Sequence, residues 1–202
     1  MRCLDLSGQT VNPRLFMNAR KLVCFALLIV GGLIADEAPE GLRLQLSSGG
    51  ESTVKVTSNV HLFLRADSSA SPLIPAGPTK AEWTGFVNAD LRGDFKFKAM
   101  VRGKFSVELN GKEILSGEGD GKKGVGPSEE IRLNKGPNKL RVRYQSPAKG
   151  DGYIRLLWSE YGFLWEPIHR SQLTRAADDD ALKSSAQLLR GRDLFIEGRC
   201  AR

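Results

Sequence analysis

The sequence predicts an all-β protein, an antiparallel β-sandwich or barrel with little helix. Apolar and polar residues alternate along successive short segments of residues 81–158, and each segment closes on a glycine-containing turn. A period of two places one face of a strand in the core and the other in water, which is typical of antiparallel sheets. The predicted core positions are Phe95, Phe97, Ala99, Val101, Phe105, Val107, Leu109, Leu140, Val142, Tyr144, Ile154, Leu156 and Trp158.

Shorter strands are expected before this region. Segments 42–46, 52–56 and 59–66 are predicted to form two or three strands, separated by Ser/Gly turns. Segment 68–80 contains three prolines, and a loop or an edge segment is expected there because proline has no N–H to give to a sheet. His61 has no metal-ligating neighbour at suitable spacing in the sequence, so it is predicted to face solvent.

Glycines mark the turns between the later strands. Asn110-Gly111 predicts a two-residue hairpin, because both central positions of a type I′ turn need positive φ. A second turn is expected at Arg102-Gly103, between strands 94–101 and 104–109. Residues 117–126 (GEGDGKKGVG) contain too much glycine for a strand and are expected to form a mobile loop.

Residues 1–35 are expected to hold a secretory signal peptide. Arg20-Lys21 precedes an apolar run of 14 residues that ends at Ala35, and an acidic stretch follows. A basic segment, a short apolar run and small residues before a polar stretch describe such a signal, and the run is short for a membrane span. Cleavage is expected after Ala35, and Met17 is the candidate start. A retained N-terminal anchor and a buried core helix stay open as alternatives.

The net charge of +7 does not by itself indicate a nucleic-acid surface. Residues 1–35 contribute +3 and the remainder +4, with basic residues next to acidic ones or at outward strand positions such as Arg141 and Arg143. This pattern favours a solvated sheet face, and no nucleic-acid partner is expected. The three cysteines lie far apart in the sequence and form no metal-ligand cluster there.

Four motifs together resemble a protective-antigen-type domain, named after the anthrax-toxin module. They are residues 83–86 (WTGF), 94–97 (DFKF), 107–112 (VELNGK) and 153–159 (YIRLLWS), and the resemblance covers residues 42–173. It implies a β-sandwich-like barrel of a kind often used to bind carbohydrate. Some members bind sugar through adjacent aspartates and calcium. No Asp-Asp pair occurs between residues 81 and 158, which argues against calcium here.

Four side chains are the candidate ligand-binding residues. Asp120 and Asp151 are carboxylates near turns, and no pair of aspartates has the spacing of an acid and base for glycoside hydrolysis. Tyr161 and Trp165 follow the last predicted strand, where they either stack on a sugar ring or cap the open end of the barrel. The sequence contains no nucleophile-elbow, P-loop, dinucleotide or zinc motif, so no enzymatic activity is expected.

A helix is expected near the C-terminus. Residues 178–180 can cap it, and Ala181, Leu182, Ala186, Leu189, Leu194 and Phe195 follow a helical spacing that Gly191 interrupts. Gly191, Phe195 and Cys200 resemble the opening of a c-type cytochrome domain. The resemblance implies that Cys200 is the first haem thioether of an incomplete motif, with covalent haem c in a longer protein. The alternative is a C-terminal helix with an incidental cysteine.

These observations predict an exported binding module, periplasmic or at the cell surface. Its expected parts are a signal peptide at 1–35, a protective-antigen-type domain at 41–173, and a linker with the first helix of a truncated cytochrome c-like domain at 174–202. The expected partner is a glycan or another cell-surface ligand, with a redox partner only where the haem domain is present. No stable membrane insertion is expected after signal cleavage. The alternative function is a structural or protein-interaction β-domain that binds neither sugar nor haem.

Overall fold

The computed structural model describes residues 38–161 and 164–198. The expected signal peptide and Cys200 lie outside these ranges. The described chain is mostly antiparallel sheet, as predicted, followed by one α-helix, α1 (Asp180–Glu197). The strands are β1 (Leu42–Ser48), β2 (Glu51–Thr57), β3 (His61–Leu64), β4 (Lys80–Ala89), β5 (Gly93–Leu109), β6 (Lys112–Asp120), β7 (Ile131–Leu133), β8 (Gly136–Gln145), β9 (Gly152–Glu160) and β10 (Leu173–Thr174).

All ten strands belong to one curled sheet. The order along its main path is β2-β1-β4-β8-β5-β9-β3, while β10 pairs with β4, and β6 and β7 pair with β5. Every pairing is antiparallel. The inward face carries the apolar positions that the alternation predicts, and all thirteen are buried. They pack with β1 leucines and with Trp83 of β4, which has no exposed surface.

The long strand β5 joins the two halves of the sheet. Residues 95–102 pair with β9 along one edge of β5, and from Lys104 onwards the same edge pairs with β8. The opposite edge pairs with β7 near its start and with β6 near its end. Because one strand belongs to both halves, the sheet has to curl, and its inward face closes around a single core.

The turn expected at Arg102-Gly103 is wrong, because β5 passes through this position without a break. Gly103 has a φ of +125° and marks the point at which β5 changes partner from β9 to β8. A glycine inside a strand often marks such a bend, since only glycine permits both this φ and a close approach of another strand. The glycine at this position does mark a change in the backbone, but the change is a bend within β5 where its pairing partner changes, and not a turn between two strands.

Tyr144 of β8 occupies the space at this bend. Its hydroxyl donates a 2.7 Å hydrogen bond to the carbonyl oxygen of Arg102. A Cβ atom at Gly103 would lie 2.9 Å from the Tyr144 ring, and one at Gly152 would lie 2.4 Å from its hydroxyl. The side chain is 2% exposed, and this burial raises the pKa of Tyr144. The ring therefore fits only because two glycines flank it.

The glycine-rich stretch after the hairpin is partly strand. The Asn110-Gly111 hairpin is confirmed, with φ values of +51° and +82°. The loop expected at 117–126 is wrong for residues 117–120, because β6 continues to Asp120. A Cβ atom at Gly119 would lie 2.2 Å from the Val101 carbonyl oxygen. Here glycine permits close packing of β6 against β5. A high glycine content alone does not distinguish a closely packed strand from a loop.

Helix α1 packs against β2. Its N-cap is Asp179, inside the capping segment that the sequence predicted, and the Asp179 carboxylate accepts a 3.1 Å hydrogen bond from the Leu182 N–H. Ser185 is buried and accepts a hydrogen bond from the Val54 N–H of β2. Gly191, which interrupts the apolar spacing in the sequence, lies inside the helix. Within the described residues, no helix is both long enough and apolar enough to cross a membrane.

Replacing Gly103 tests the role of the bend. We expect Gly103→Ala to destabilise the protein by about 2–4 kcal/mol, because its φ disfavours a side chain and the new Cβ would meet a carbonyl oxygen. That oxygen belongs to Gln145, 2.4 Å from the Cβ position. Urea unfolding followed by tryptophan fluorescence measures the loss.

The matched control is Gly191→Ala. Gly191 lies inside α1 with open space around its Cβ position. The same substitution should therefore stabilise the protein, by about 0.5–1 kcal/mol. Equal effects of the two substitutions would contradict the role assigned to Gly103.

Candidate functional site

Asp120 and Asp151 lie near the same arginine. Asp120 ends β6 opposite Arg102 of β5, and the Arg102 guanidinium also lies beside Gly150, next to Asp151. Each carboxylate accepts a 2.8 Å backbone hydrogen bond, Asp120 from the Lys122 N–H and Asp151 from the Ala66 N–H. The Lys122 N–H holds the pKa of Asp120 below its ordinary value. Both aspartates thus stabilise local loop structure.

Tyr161 and Trp165 differ in their surroundings. Tyr161 is fully exposed. Trp165 is half-buried, with the Lys98 ammonium 5.9 Å from the centre of its ring. The next residue, Glu166, exchanges two backbone hydrogen bonds with Trp158 of β9. Trp165 therefore lies beside the outer face of β5 and β9, and Tyr161 remains free to contact a ligand.

The described residues do not supply a clear cation site. Among them, no group of three His, Cys, Asp or Glu side chains is arranged to hold a metal ion. The two candidate aspartates are separate in sequence, and each already binds a backbone N–H. They do not form the adjacent pair that the family resemblance associates with calcium. His61 is exposed on β3, as predicted.

A polar groove of about 440 Å³ crosses the outer face of β1, β4, β8 and β5. The register of these strands places outward side chains in two parallel rows across the sheet. The first row is Gln45, Glu82, Arg143 and Ser106, and the second is Ser47, Lys80, Gln145 and Lys104. All eight residues line the groove. They combine amide, hydroxyl, carboxylate and cationic groups, so the groove presents both donors and acceptors.

Ion pairs hold the floor of the polar groove in place. Glu82 lies between two arginines, with one carboxylate oxygen 2.8 Å from the Arg141 Nε and the other 3.8 Å from the Arg143 Nε. Arg143 also donates a 2.6 Å hydrogen bond to Glu108 of β5. A connected network restricts rotation of long side chains more than an isolated surface pair does. The planar groups of the groove are therefore oriented before any ligand binds.

The start of α1 is attached to the same face. The Asp179 carboxylate accepts a 2.6 Å hydrogen bond from the Arg43 Nε of β1, and Arg43 also donates to Gln45 in the groove. Burial raises the pKa of Asp179, but the Leu182 N–H and the Arg43 guanidinium outweigh this effect. The pKa of Asp179 consequently lies below its ordinary value of 3.8. Asp179 is ionised near neutral pH and links the helix to the sheet.

Comparison with solved structures identifies the class of fold. An anti-sigma factor domain-containing protein from Clostridium clariflavum matches 69% of this chain and 48% of its own, at 18% identity and a TM-score of 0.59. A PA14 domain of the MpAFP antifreeze protein matches 68% and 92%, at 10% identity and 0.58. A PA14 sugar-binding domain from an RTX adhesin matches 69% and 100%, at 14% identity and 0.57. This chain spans about half the length of the first protein.

These matches establish the fold alone. The chain has the β-fold of PA14 domains, the protective-antigen type that the four sequence motifs resemble. No protein-family model matches the sequence, and neither does any curated protein.

The sequence alone did not identify the polar groove. Arg141 and Arg143 were correctly placed on an outward face, but their carboxylate partners lie far away in sequence on β4 and β5. The sequence does show polar residues at the outward positions of β1, β4, β5 and β8. These residues can be recognised as one groove only when the order of the strands in the sheet is known. That order is not sequential, because β8 inserts between β4 and β5.

Acid should weaken the link between α1 and the sheet. Because the pKa of Asp179 is lowered in the folded state, its stabilising effect is present above about pH 4 and is lost as the pH falls through that lowered value. We expect Asp179→Asn, which keeps an N-cap side chain, to cost about 1 kcal/mol at pH 7 and almost nothing at about pH 2. Urea unfolding followed by circular dichroism at both pH values measures the difference.

Asp180→Asn is the matched control, since its side chain is 96% exposed. It should change stability little at either pH. A cost of Asp179→Asn that is the same at both pH values would contradict the assigned ion pair.

Proposed function

We propose that this β-domain binds carbohydrate and that the ligand lies in the polar groove. The observation that carries the proposal is the oriented network of Glu82, Arg141 and Arg143 beneath a groove of about 440 Å³. Sugar hydroxyls donate and accept hydrogen bonds, and planar carboxylate, amide and guanidinium groups complement them. The volume falls within the range of small-molecule sites and suits a short saccharide.

The fold supports this proposal. One protein with the same fold is a PA14 sugar-binding domain from an RTX adhesin. We expect the protein to be exported, to the periplasm or to the cell surface, where such a binding domain would meet glycans. We do not expect it to have catalytic activity. The expected signal peptide belongs to the same proposal.

Binding should depend on Glu82 and not on calcium. We expect the purified chain to bind oligosaccharides on a glycan array. Glu82→Gln should weaken binding of the tightest ligand about tenfold, because Arg141 loses its carboxylate partner and Arg143 is left with Glu108 alone to orient it. Isothermal titration gives the affinities. Binding should persist in EDTA, since residues 81–158 contain no adjacent aspartates and no group of three His, Cys, Asp or Glu side chains in the described residues is arranged to hold a metal ion.

Phe63→Ala is the control on the other half of the sheet, where Phe63 of β3 is 60% exposed opposite Tyr153. Loss of binding in this variant, with full binding in Glu82→Gln, would move the site away from the groove. If the protein binds no glycan on the array, the proposed function is wrong.

The alternative is a protein-interaction or structural domain without sugar affinity. It is favoured by the exposed apolar side chains of α1, since Leu188, Leu194, Phe195 and Ile196 are each more than half exposed. A saturable rise in melting temperature with a sugar would exclude this alternative, because a ligand that binds the folded state must stabilise it.

We also propose that a longer form of the protein carries a c-type haem domain after α1. This rests on the spacing of Gly191, Phe195 and Cys200 in the sequence. Gly191 and Phe195 lie on one face of α1, four residues apart. The protein isolated from its natural source should give a pyridine haemochrome spectrum. A colourless protein whose mass contains no haem would refute the haem domain and leave the carbohydrate proposal intact.

A further inference from the structure

A second cleft, the cationic cleft, adjoins the polar groove on the same face of the sheet. It has a volume of about 300 Å³ and lies between β1, β4, β8 and the segment that leads into α1. Arg43, Lys139, Arg141 and Arg175 contribute four cationic side chains to its lining, and Asp179 contributes the carboxylate. The four cations come from two strands, β1 and β8, and from the segment before α1, so the fold brings this positive charge together.

Two of these four cations are not neutralised. Arg43 is paired with Asp179, and Arg141 with Glu82. In the described part of the chain, neither Lys139 nor Arg175 forms an ion pair with a carboxylate.

The half-buried Arg175 is held at the edge of the cleft. Its guanidinium donates to the Glu40 carbonyl oxygen, and its backbone N–H donates to the Pro39 carbonyl oxygen. A cation fixed in this way loses little conformational freedom on binding an anion.

Phe86 adds an aromatic surface to the cleft. It projects outward from β4, opposite Lys139 of β8, and its side chain is half-buried. The face of a sugar ring packs well on an aromatic side chain, because both surfaces are flat and the sugar C–H groups meet the electron-rich ring. An aromatic ring beside an unpaired ammonium group therefore suits a sugar that carries an acidic substituent.

The two clefts are adjacent. The Arg141–Glu82 ion pair and the Arg43–Gln45 hydrogen bond each join a residue of the cationic cleft to one of the polar groove. Among the described residues, seven basic and two acidic side chains line the two clefts. That net charge of +5 compares with +4 for residues 36–202, so the positive charge of this part of the chain is concentrated on this face.

We propose that the natural ligand is an acidic polysaccharide, with its carboxylate or sulfate group between Lys139 and Arg175 and the neighbouring sugar units in the polar groove. This rests on the proposed carbohydrate binding and specifies its class. Charge-assisted hydrogen bonds supply the selectivity for acidic sugars, and the groove supplies contacts to hydroxyls. A nucleic acid is the competing polyanion, and the test distinguishes it from an acidic polysaccharide.

The test compares one saccharide with and without its charge. Titration of the full chain with tetragalacturonate and with its methyl ester, at low salt, should show at least about tenfold tighter binding of the acid. The preference should shrink at high salt because screening weakens exposed charge pairs. Lys139→Gln should reduce the preference about fivefold, and Lys139→Gln combined with Arg175→Gln should abolish it. Lys149→Gln, which removes a charge from the distant turn before β9, should leave the preference unchanged.

Each remaining outcome decides against one of the two proposals. Equal affinity for the acid and its ester, or an unchanged preference in the double variant, would overturn the acidic-ligand proposal and leave carbohydrate binding standing. Tighter binding of a DNA oligonucleotide of equal charge would also overturn it, in favour of a nucleic acid. Failure to bind any saccharide, charged or neutral, on the full glycan array would overturn the proposed function itself.

Discussion

The close contact between the Gly103 backbone and the Tyr144 ring determines how the sheet curls. At this position β5 leaves β9 and begins to pair with β8, and the Tyr144 hydroxyl binds the carbonyl oxygen of Arg102. Without the bend, one edge of β5 could not serve both partners. The common core depends on it, because the inward residues of the two halves face each other only when the sheet is closed in this way.

The chemistry of the outer face follows from the packing of the inner face. Burial of the alternating apolar residues sets the register of β1, β4, β8 and β5, since a slip of one residue would expose the whole apolar set. The same register brings Gln45, Glu82, Arg143 and Ser106 into one row. The polar groove is therefore a consequence of core packing, and its ion pairs then fix the orientation of the side chains that line it.

The segment that leads into α1 forms one side of the cationic cleft on the outer face of the sheet. Arg43 and Asp179 are 136 residues apart in sequence, yet they form a 2.6 Å ion pair that attaches the helix start to β1. This attachment leaves Arg175 beside β4 and closes one side of the cationic cleft. Charge is arranged by the fold here: Lys139 and Arg141 alternate with apolar residues along β8, whereas Arg43 and Arg175 join them from distant parts of the chain.

The sequence by itself determined the all-β class, the inward apolar residues, the Asn110-Gly111 hairpin and the cap of α1. These depend on a period of two and on local hydrogen bonding, both of which are visible over a few residues. Only the tertiary structure decided that Gly103 is a bend and Gly119 a close contact, because both depend on strands distant in sequence. The same holds for the site: Asp120 and Asp151 were visible as polar residues near turns, whereas Glu82, Lys139 and Arg175 become neighbours only through the strand order. Pairing between distant strands depends on the packing of the whole core, which local sequence patterns do not specify.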